Sequence, residues 1–266
     1  MNRICVIGAL GRMGSGIVKE IINDKAVELG AVIEIESCGK IGQDIGECLG
    51  LGKVGVVLSD KLEKVVNDFD IIIDFTSPES TMKNLEFVVK NNKKIVIGTT
   101  GLNDEQKEKV KKAGDKIACL FSSNMSVGVN LLFKIVGEVA KALGEDYDIE
   151  IVEAHHRFKK DSPSGTALSL AESIAKALGR NLEKDAVYGR HGMVGERGRK
   201  EIGIHAVRAG DIVGEHTVIY GNLGERIEIS HKAQSRQTFV MGAVRAAKFL
   251  VSRGKGFFTM QDVLNK

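Results

Sequence analysis

Arg3-Ile4-Cys5-Val6-Ile7-Gly8-Ala9-Leu10-Gly11-Arg12-Met13-Gly14 is the stretch that decides the fold class. Residues 3–7 are mostly apolar and β-branched, the pattern of a short strand buried on both faces. Glycines then stand at G-x-x-G-x-x-G spacing, and residues 14–24 carry Ile17, Val18, Ile21 and Ile22 along one helical face. A strand, a glycine turn and a helix N-terminus in succession aim backbone N–H groups and the positive dipole end at one spot, which suits a pyrophosphate. Glu34 ends the next strand about 20 residues after Gly14, where a dinucleotide-binding fold places the acid for the adenine ribose hydroxyls. The usual G-x-G-x-x-G spacing would put glycine at position 10, and this chain has Leu10. The glycines alone leave a second reading open, a tight βα turn in another α/β fold such as a flavodoxin-like one.

Beyond this turn, strand-like runs at 29–34, 70–75, 94–98 and 117–121 alternate with helical patterns at 79–91 and 103–114. Ser77-Pro78-Glu79 is a helix start signal. Alternation of this kind predicts parallel βαβ units and an α/β fold with a Rossmann-like doubly wound parallel sheet. Asp74-Phe75-Thr76, Gly98-Thr99-Thr100-Gly101 and Ser122-Ser123-Asn124 follow three of the strands, at the carboxyl edge where such sheets bind ligands. The pattern changes near 125. A long amphipathic helix is predicted over 127–143, a strand over 147–154, a polar loop over 156–165 and a helix over 166–179. Strands at 201–208, 214–220 and 225–231 follow with little helix between them, which predicts a second α+β domain with an open mixed sheet. A last helix over 237–251 is expected to pack back on the first domain. The expected division is 1–126, completed by 237–266, as the dinucleotide-binding domain, and 127–236 as the second.

Composition narrows the function classes. Hydrophobic residues make up 43% and charged residues 27%, ordinary globular usage that argues against wholesale disorder. With 31 glycines and only 2 prolines in 266 residues, glycine serves turns and close backbone approaches. The net charge is +3, with Lys and Arg scattered among Asp and Glu, which argues against a nucleic-acid surface. Cys5, Cys38, Cys48 and Cys119 form no C-x-x-C pair and read as reduced thiols rather than a disulfide frame or a zinc site. Nothing has the form of a signal peptide or the apolar length of a membrane span. A soluble cytoplasmic protein with no nucleic-acid or membrane partner is expected.

The stretch richest in chemistry is Glu153-Ala154-His155-His156-Arg157-Phe158-Lys159-Lys160-Asp161-Ser162-Pro163-Ser164-Gly165-Thr166-Ala167. Two histidines and several cations follow a strand, and a Ser/Gly/Thr turn then starts a helix. The helix start offers N–H groups and a positive dipole end to a carboxylate. Histidine donates a proton near neutral pH, and lysine does so where its site lowers its pKa. A dicarboxylate that is protonated during reduction would use this equipment. A solvated basic loop before an ordinary capped helix is the competing reading. Metal binding is disfavoured, because there is no H-E-x-x-H spacing.

The string E-A-H-H-R-x-K-x-D-x-P-S-G-T-A resembles the signature of the dihydrodipicolinate reductase family. Over nearly the whole chain, G-A-x-G-R-M-G (8–14), D-F-T-x-P-E (74–79), V-I-G-T-T-G (96–101), N-x-S-V-G-V-N (124–130), R-A-G-D-I-V-G-E-H-T (208–217) and G-E-R-I-E-I-S-H-K-A (224–233) match in order. Position 10 varies within that family. The resemblance implies reduction of a cyclic unsaturated dicarboxylate to tetrahydrodipicolinate with NADH or NADPH, in diaminopimelate and lysine biosynthesis. His155 and Lys159 match the proton-donating positions, His156 a substrate contact, and Gly165 with Thr166 the turn that binds a substrate carboxylate. Gly8, Ala9, Leu10, Gly11, Arg12 and Met13 match the pyrophosphate turn, and Glu34 the ribose acid. Gly98, Thr99 and Thr100, with Ser122, Ser123, Asn124 and Met125, match segments near the nicotinamide. No metal is implied. Relatives that use NADPH well often carry arginine directly after the acid, where it pairs with the 2′-phosphate. This chain has Ile35 and Glu36 there, so NADH is the expected preference, with Lys40 a candidate to rescue NADPH. The family is usually a homotetramer built through its second-domain sheets, which makes 127–236 the expected substrate-binding and oligomerisation domain.

Two rival classes are weighed against this. One is a semialdehyde dehydrogenase using Cys119, although an apolar strand more often holds an inert thiol. The other is a non-enzymatic nicotinamide-nucleotide sensor in which His155 and Lys159 are incidental. His191, His205, His216 and His231 are read as structural or surface groups. Arg12 is read as a phosphate contact or an exposed first-turn residue, and Lys232 and Arg236 are given no role.

Overall fold

A strand with apolar residues on both faces needs cover on both faces, and β1 (Asn2–Ile7) shows how the chain provides it. Ile4 and Val6 turn to one side of the sheet, Cys5 and Ile7 to the other. The computed structural model describes residues 2–265. After β1 come α1 (Gly14–Ile22), β2 (Val27–Ile33), the one-turn helix α2 (Ile45–Cys48), β3 (Leu58–Ser59), β4 (Ile71–Asp74), α3 (Pro78–Lys90), β5 (Lys94–Ile97), α4 (Asp104–Ala113) and β6 (Ala118–Phe121). These strands lie in the order β6-β5-β4-β1-β2-β3, all parallel. This is the doubly wound arrangement, with its switch in strand order between β1 and β4. α3 and α4 cover the Cys5 face with Leu85, Val88, Val110 and Ala113.

The next segment builds a different sheet. α5 (Val127–Leu143), β7 (Asp148–His155), α6 (Gly165–Leu178), α7 (Leu182–Asp185), β8 (Ala186–Tyr188), β9 (Ile202–Arg208), β10 (Gly214–Asn222) and β11 (Glu225–Ala233) follow in sequence. The strand order is β11-β10-β7-β9-β8, with β7, β8 and β9 parallel and β10 and β11 antiparallel. α5 and α6 supply Leu132, Val136, Leu170 and Ile174 to one face, against Ile149, Ile151, Ile204 and Val218. Tyr220 is fully buried there and donates to the Val136 carbonyl at 2.6 Å.

α8 (Gln237–Val251), β12 (Gly256–Phe258) and α9 (Met260–Leu264) then return to the first sheet. α8 lies beside α1 over the Ile4 face. A Cβ on Gly16 would come within 2.8 Å of Val240, so glycine permits the close approach of the two helices. β12 adds to the β6 edge in parallel. Two compact units result, one made of the residues up to Val127 with those from Gln237 onward, the other of Gly128–Arg236. β3, β8 and β12 were not expected from the sequence, being two or three residues long. Among the described residues no helix is long and apolar enough to cross a membrane.

Ile72 is fully buried on the α3 and α4 side of the sheet. Ile72→Ala is expected to lower the urea unfolding free energy by about 2–5 kcal/mol, through lost transfer energy and the cavity left behind.

Candidate active site

The glycine turn is held by glycine-specific geometry. Gly8 has a φ of +68°, which side chains rarely adopt. A Cβ on Gly14 would sit 2.0 Å from the Gly8 carbonyl oxygen. Gly11 N–H closes the turn onto the Gly8 carbonyl at 2.9 Å. Leu10 needs no glycine, because its φ is not positive and its side chain packs on the core with Met13. Its N–H donates to Glu34 Oε1 at 3.0 Å, and Ile35 N–H donates to Glu34 Oε2 at 3.0 Å. Glu34 thus ties the end of β2 to the turn. Arg12 is exposed at the helix entrance.

Two clefts flank this turn within the first unit. One, of about 520 Å³, is lined by Gly8, Glu34, Ile35, Lys61, Lys83 and Asn84, among others. The other, of about 330 Å³, is lined by Met13, Phe75, Gly98, Thr100, Ser123 and Asn124, among others. Thr76 borders both. It is fixed by the buried Asp74 carboxylate, which accepts from Thr76 N–H at 2.9 Å, from its hydroxyl at 2.6 Å and from Asn84 at 2.9 Å. Thr99 and Met125 are buried, while Thr100 and Ser123 are exposed. Ser122 Oγ donates to the Asn124 carbonyl at 2.7 Å. A Cβ on Gly98 would lie 2.2 Å from the Phe75 ring, so glycine there lets that ring close over the strand end.

In the second unit, β7 carries Glu153 and His155 on the face that buries Ile149 and Ile151. Glu153 is fully buried. Its Oε2 meets His155 Nδ1 at 2.6 Å, and its Oε1 accepts from Ser164 N–H at 3.0 Å. Arg208, at the end of β9, grips both oxygens at 2.8 Å. Ser164 caps α6, accepting from Ala167 N–H at 3.2 Å, and its hydroxyl meets His216 Nε2 at 3.0 Å. The His155 and His216 rings pack edge to face, 5.2 Å apart. Gly165 and Thr166 open α6, where first-turn N–H groups have no helical carbonyl to bond. Lys159 pairs with Asp161 at 2.9 Å. His156 lies just past β7, and its buried Nδ1 has no partner within the protein.

Burial raises the Glu153 carboxyl, but Arg208, His155 and the Ser164 N–H outweigh it and hold the group below the usual carboxylate range. Burial pushes the His155 imidazole down, Glu153 pulls it up, and Lys159 and Arg208 push it down, with a net fall. His216 is pushed down to about 3, chiefly by burial and then by His155, so it is neutral at ordinary pH. The arrangement offers a histidine oriented by a buried carboxylate, a nearby lysine and an anion-attracting helix start. Such a combination is chemically able to pass a proton to a carboxylate-bearing ligand.

Glu153 stands in the stretch singled out from the sequence but was given no role. His216, read as structural or surface, is buried beside His155 and bonds the α6 cap. Arg208 was not singled out. The signal for both was the segment R-A-G-D-I-V-G-E-H-T (208–217), which begins at Arg208 and holds His216. Cys119 is fully buried in β6, where burial pushes its thiol up to about 12, and this removes the dehydrogenase reading. Among the described residues no group of three or more His, Cys, Asp or Glu is placed to hold a metal ion.

The parallel sheet, its glycine turn and the acid after β2 define a protein of the Rossmann-type dinucleotide-binding class. Models of the dihydrodipicolinate reductase N-terminus and C-terminus match residues 2–125 and 128–264. The chain is 54% identical over 264 residues to 4-hydroxy-tetrahydrodipicolinate reductase of Hahella chejuensis, covering 99% of each. It is 26% identical to the dipicolinate-bound dihydrodipicolinate reductase from Paenisporosarcina sp. TG-14, with a TM-score of 0.77 over 97% of each chain. A probable dehydrogenase from Thermotoga maritima, 15% identical with a TM-score of 0.63 over 98% of this chain and 92% of its own, shares the fold. The chain belongs to the dihydrodipicolinate reductase family, whose members use NAD(P)H.

His155, His216 and His231 all sit below the ordinary imidazole range when folded. The unfolded chain therefore binds more protons than the folded one as pH falls below about 6.5. Stability is fully present above that value and declines toward pH 3, the His216 value. His216→Gln is expected to flatten the decline between about pH 6.5 and 4.5, measured as Tm against pH.

Proposed function

We propose that this chain converts 4-hydroxy-tetrahydrodipicolinate to tetrahydrodipicolinate, using NADH or NADPH, in diaminopimelate and lysine biosynthesis. Water leaves the hydroxylated ring, and one hydride and one proton then add across the resulting double bond. The observation that carries the reading is His155, seated on Glu153 and flanked by Lys159, beside the N-terminus of α6. His155 and Lys159 supply the proton. Gly165 and Thr166, at the start of α6, take one substrate carboxylate at the positive end of the helix, and His156 adds a contact. The dipicolinate bound to the Paenisporosarcina reductase is itself a ring dicarboxylate, which supports this substrate class.

The glycine turn fits a dinucleotide, because Gly14, whose Cβ would strike the Gly8 carbonyl oxygen at 2.0 Å, lets the start of α1 close on the turn and aim its first N–H groups at a pyrophosphate. When bound, the nicotinamide supplies the hydride. Residues 8–13 would hold the pyrophosphate and Glu34 the ribose hydroxyls, and Gly98–Thr100 with Ser122–Met125 would border the nicotinamide. NADH is favoured, because the exposed Ile35 and the acidic Glu36 follow Glu34 where a 2′-phosphate needs a cation. Lys40, together with Lys61 and Lys83 of the cleft that Glu34 lines, keeps NADPH usable. A homotetramer formed through the five-stranded sheet is part of the reading. Helices cover one face of that sheet, and Val207 remains 44% exposed on it. A cytoplasmic location agrees with four free cysteines.

The test follows nicotinamide absorbance with freshly generated substrate. His155→Gln and Lys159→Ala are each expected to lower kcat by roughly 10²- to 10⁴-fold with cofactor affinity unchanged. Turnover retained in both variants overturns the assignment. Wild-type kcat/KM is expected to be higher with NADH, and Ile35→Arg is expected to raise it with NADPH. A wild-type advantage for NADPH of about tenfold, a 1.4 kcal/mol difference, overturns the preference.

A further inference from the structure

We propose that Glu153 is a positioning residue that holds the proton on His155, and that Arg208 keeps Glu153 charged for this purpose. The proposal rests on the reading of His155 as the proton donor. A carboxylate gripped on both oxygens by a guanidinium is ionised and only accepts hydrogen bonds. The nitrogen it meets at 2.6 Å, His155 Nδ1, therefore carries a proton. Nε2 is left as the nitrogen that exchanges a proton with a ligand. The neighbouring strand leaves that side clear, since position 214 is glycine and a Cβ there would stand 3.1 Å from Nε2.

The same carboxylate also receives Ser164 N–H, so one buried group fixes the imidazole and the start of α6 together. Charged or titratable groups face His155 from each neighbouring element. They are Glu153 on its own strand, Arg208 from β9, neutral His216 from β10 and Lys159 from the loop after β7. Asp161 pairs with Lys159, and His231 on β11 stands opposite His216 in the strand register. Glu153 is the anion that acts on His155, and it opposes the burial that drives the imidazole toward its neutral form. Loss of its charge leaves burial and the cations unopposed.

The experiment uses the full-length enzyme with Glu153→Gln, His155→Gln, the double variant and Arg208→Gln. Glu153→Gln is expected to lower kcat roughly 30- to 100-fold with KM for NADH within about twofold of wild type. The alkaline limb of its kcat/KM profile is expected to move to lower pH. Arg208→Gln removes the guanidinium that keeps the buried Glu153 charged, so its limb is also expected to move to lower pH. In the His155→Gln background, Glu153→Gln is expected to cost less than about threefold more. Histidine-selective nitrogen NMR is expected to show the Nδ1–H tautomer in wild type and its loss in Glu153→Gln. A kcat loss with unmoved limbs, or a full additional loss in the double variant, overturns the proposal in favour of a structural ion pair. If His155→Gln itself retains turnover, the proton-donor reading fails. The NMR comparison then decides the positioning role alone, and a tautomer retained in Glu153→Gln overturns it.

Discussion

The first sheet can exist only if both of its faces are covered, and the course of the chain follows from that demand. β1, β4, β5 and β6 send alternate residues to opposite sides, Val96 and Leu120 to one and Ile95 and Cys119 to the other. Parallel strands reach their neighbours through helices, which fall on the two faces in turn. α1 alone does not finish the Ile4 side. α8 completes it, and its residues come after the whole of the second unit. The first unit is therefore discontinuous in sequence while being continuous in packing. The reversal of strand order between β1 and β4 opens the crevice that Gly8, Glu34 and Thr76 line.

The second sheet meets a different constraint. Its helices cover one face, and along β7 that face runs Ile149, Ile151, Glu153, His155. An apolar row thus becomes a polar one without leaving the interior. A fully buried carboxylate loses its hydration, and pairing it with arginine rarely improves stability over an apolar replacement. The loss is offset here by Arg208, Ser164 and His155 together. A buried polar cluster of this kind marks a site of function more often than a source of stability. The opposite face of β7 also carries charge: burial raises the Glu150 carboxyl, but Arg190, His205 and Arg197 outweigh it and pull it down to about 2.

Much of this was legible in the chain itself, for local reasons. The glycine turn is a contiguous stretch whose strand, φ requirement and helix start all lie within residues 2–22. Glu34 was legible because its distance from the turn is a property of one βα unit. The stretch 153–167 stood out as a candidate site because a strand end, a cation cluster and a capped helix start follow one another directly. The departure at Leu10 also has a local account, since that position takes an ordinary φ and turns its side chain inward. β3, β8 and β12 escaped notice because strands of two or three residues carry too little periodicity to register and exist only by pairing with a longer neighbour.

By itself, the sequence determined the doubly wound half, the change of architecture near 125, the glycine turn between β1 and α1, and the strand end, loop and capped helix of the histidine–lysine segment. Each depends on side-chain period, glycine conformation or capping within a few residues. Only the tertiary structure decided that Arg208 and His216 belong with His155, because β9 and β10 flank β7 through pairings that no local pattern specifies. It also decided that Cys119 is fully buried and that Glu153 is gripped on both oxygens by Arg208. Both depend on which groups the fold brings within a few ångströms and on the water it excludes, since the free energy of an ionisable group is set by its surroundings and not by its place in the chain.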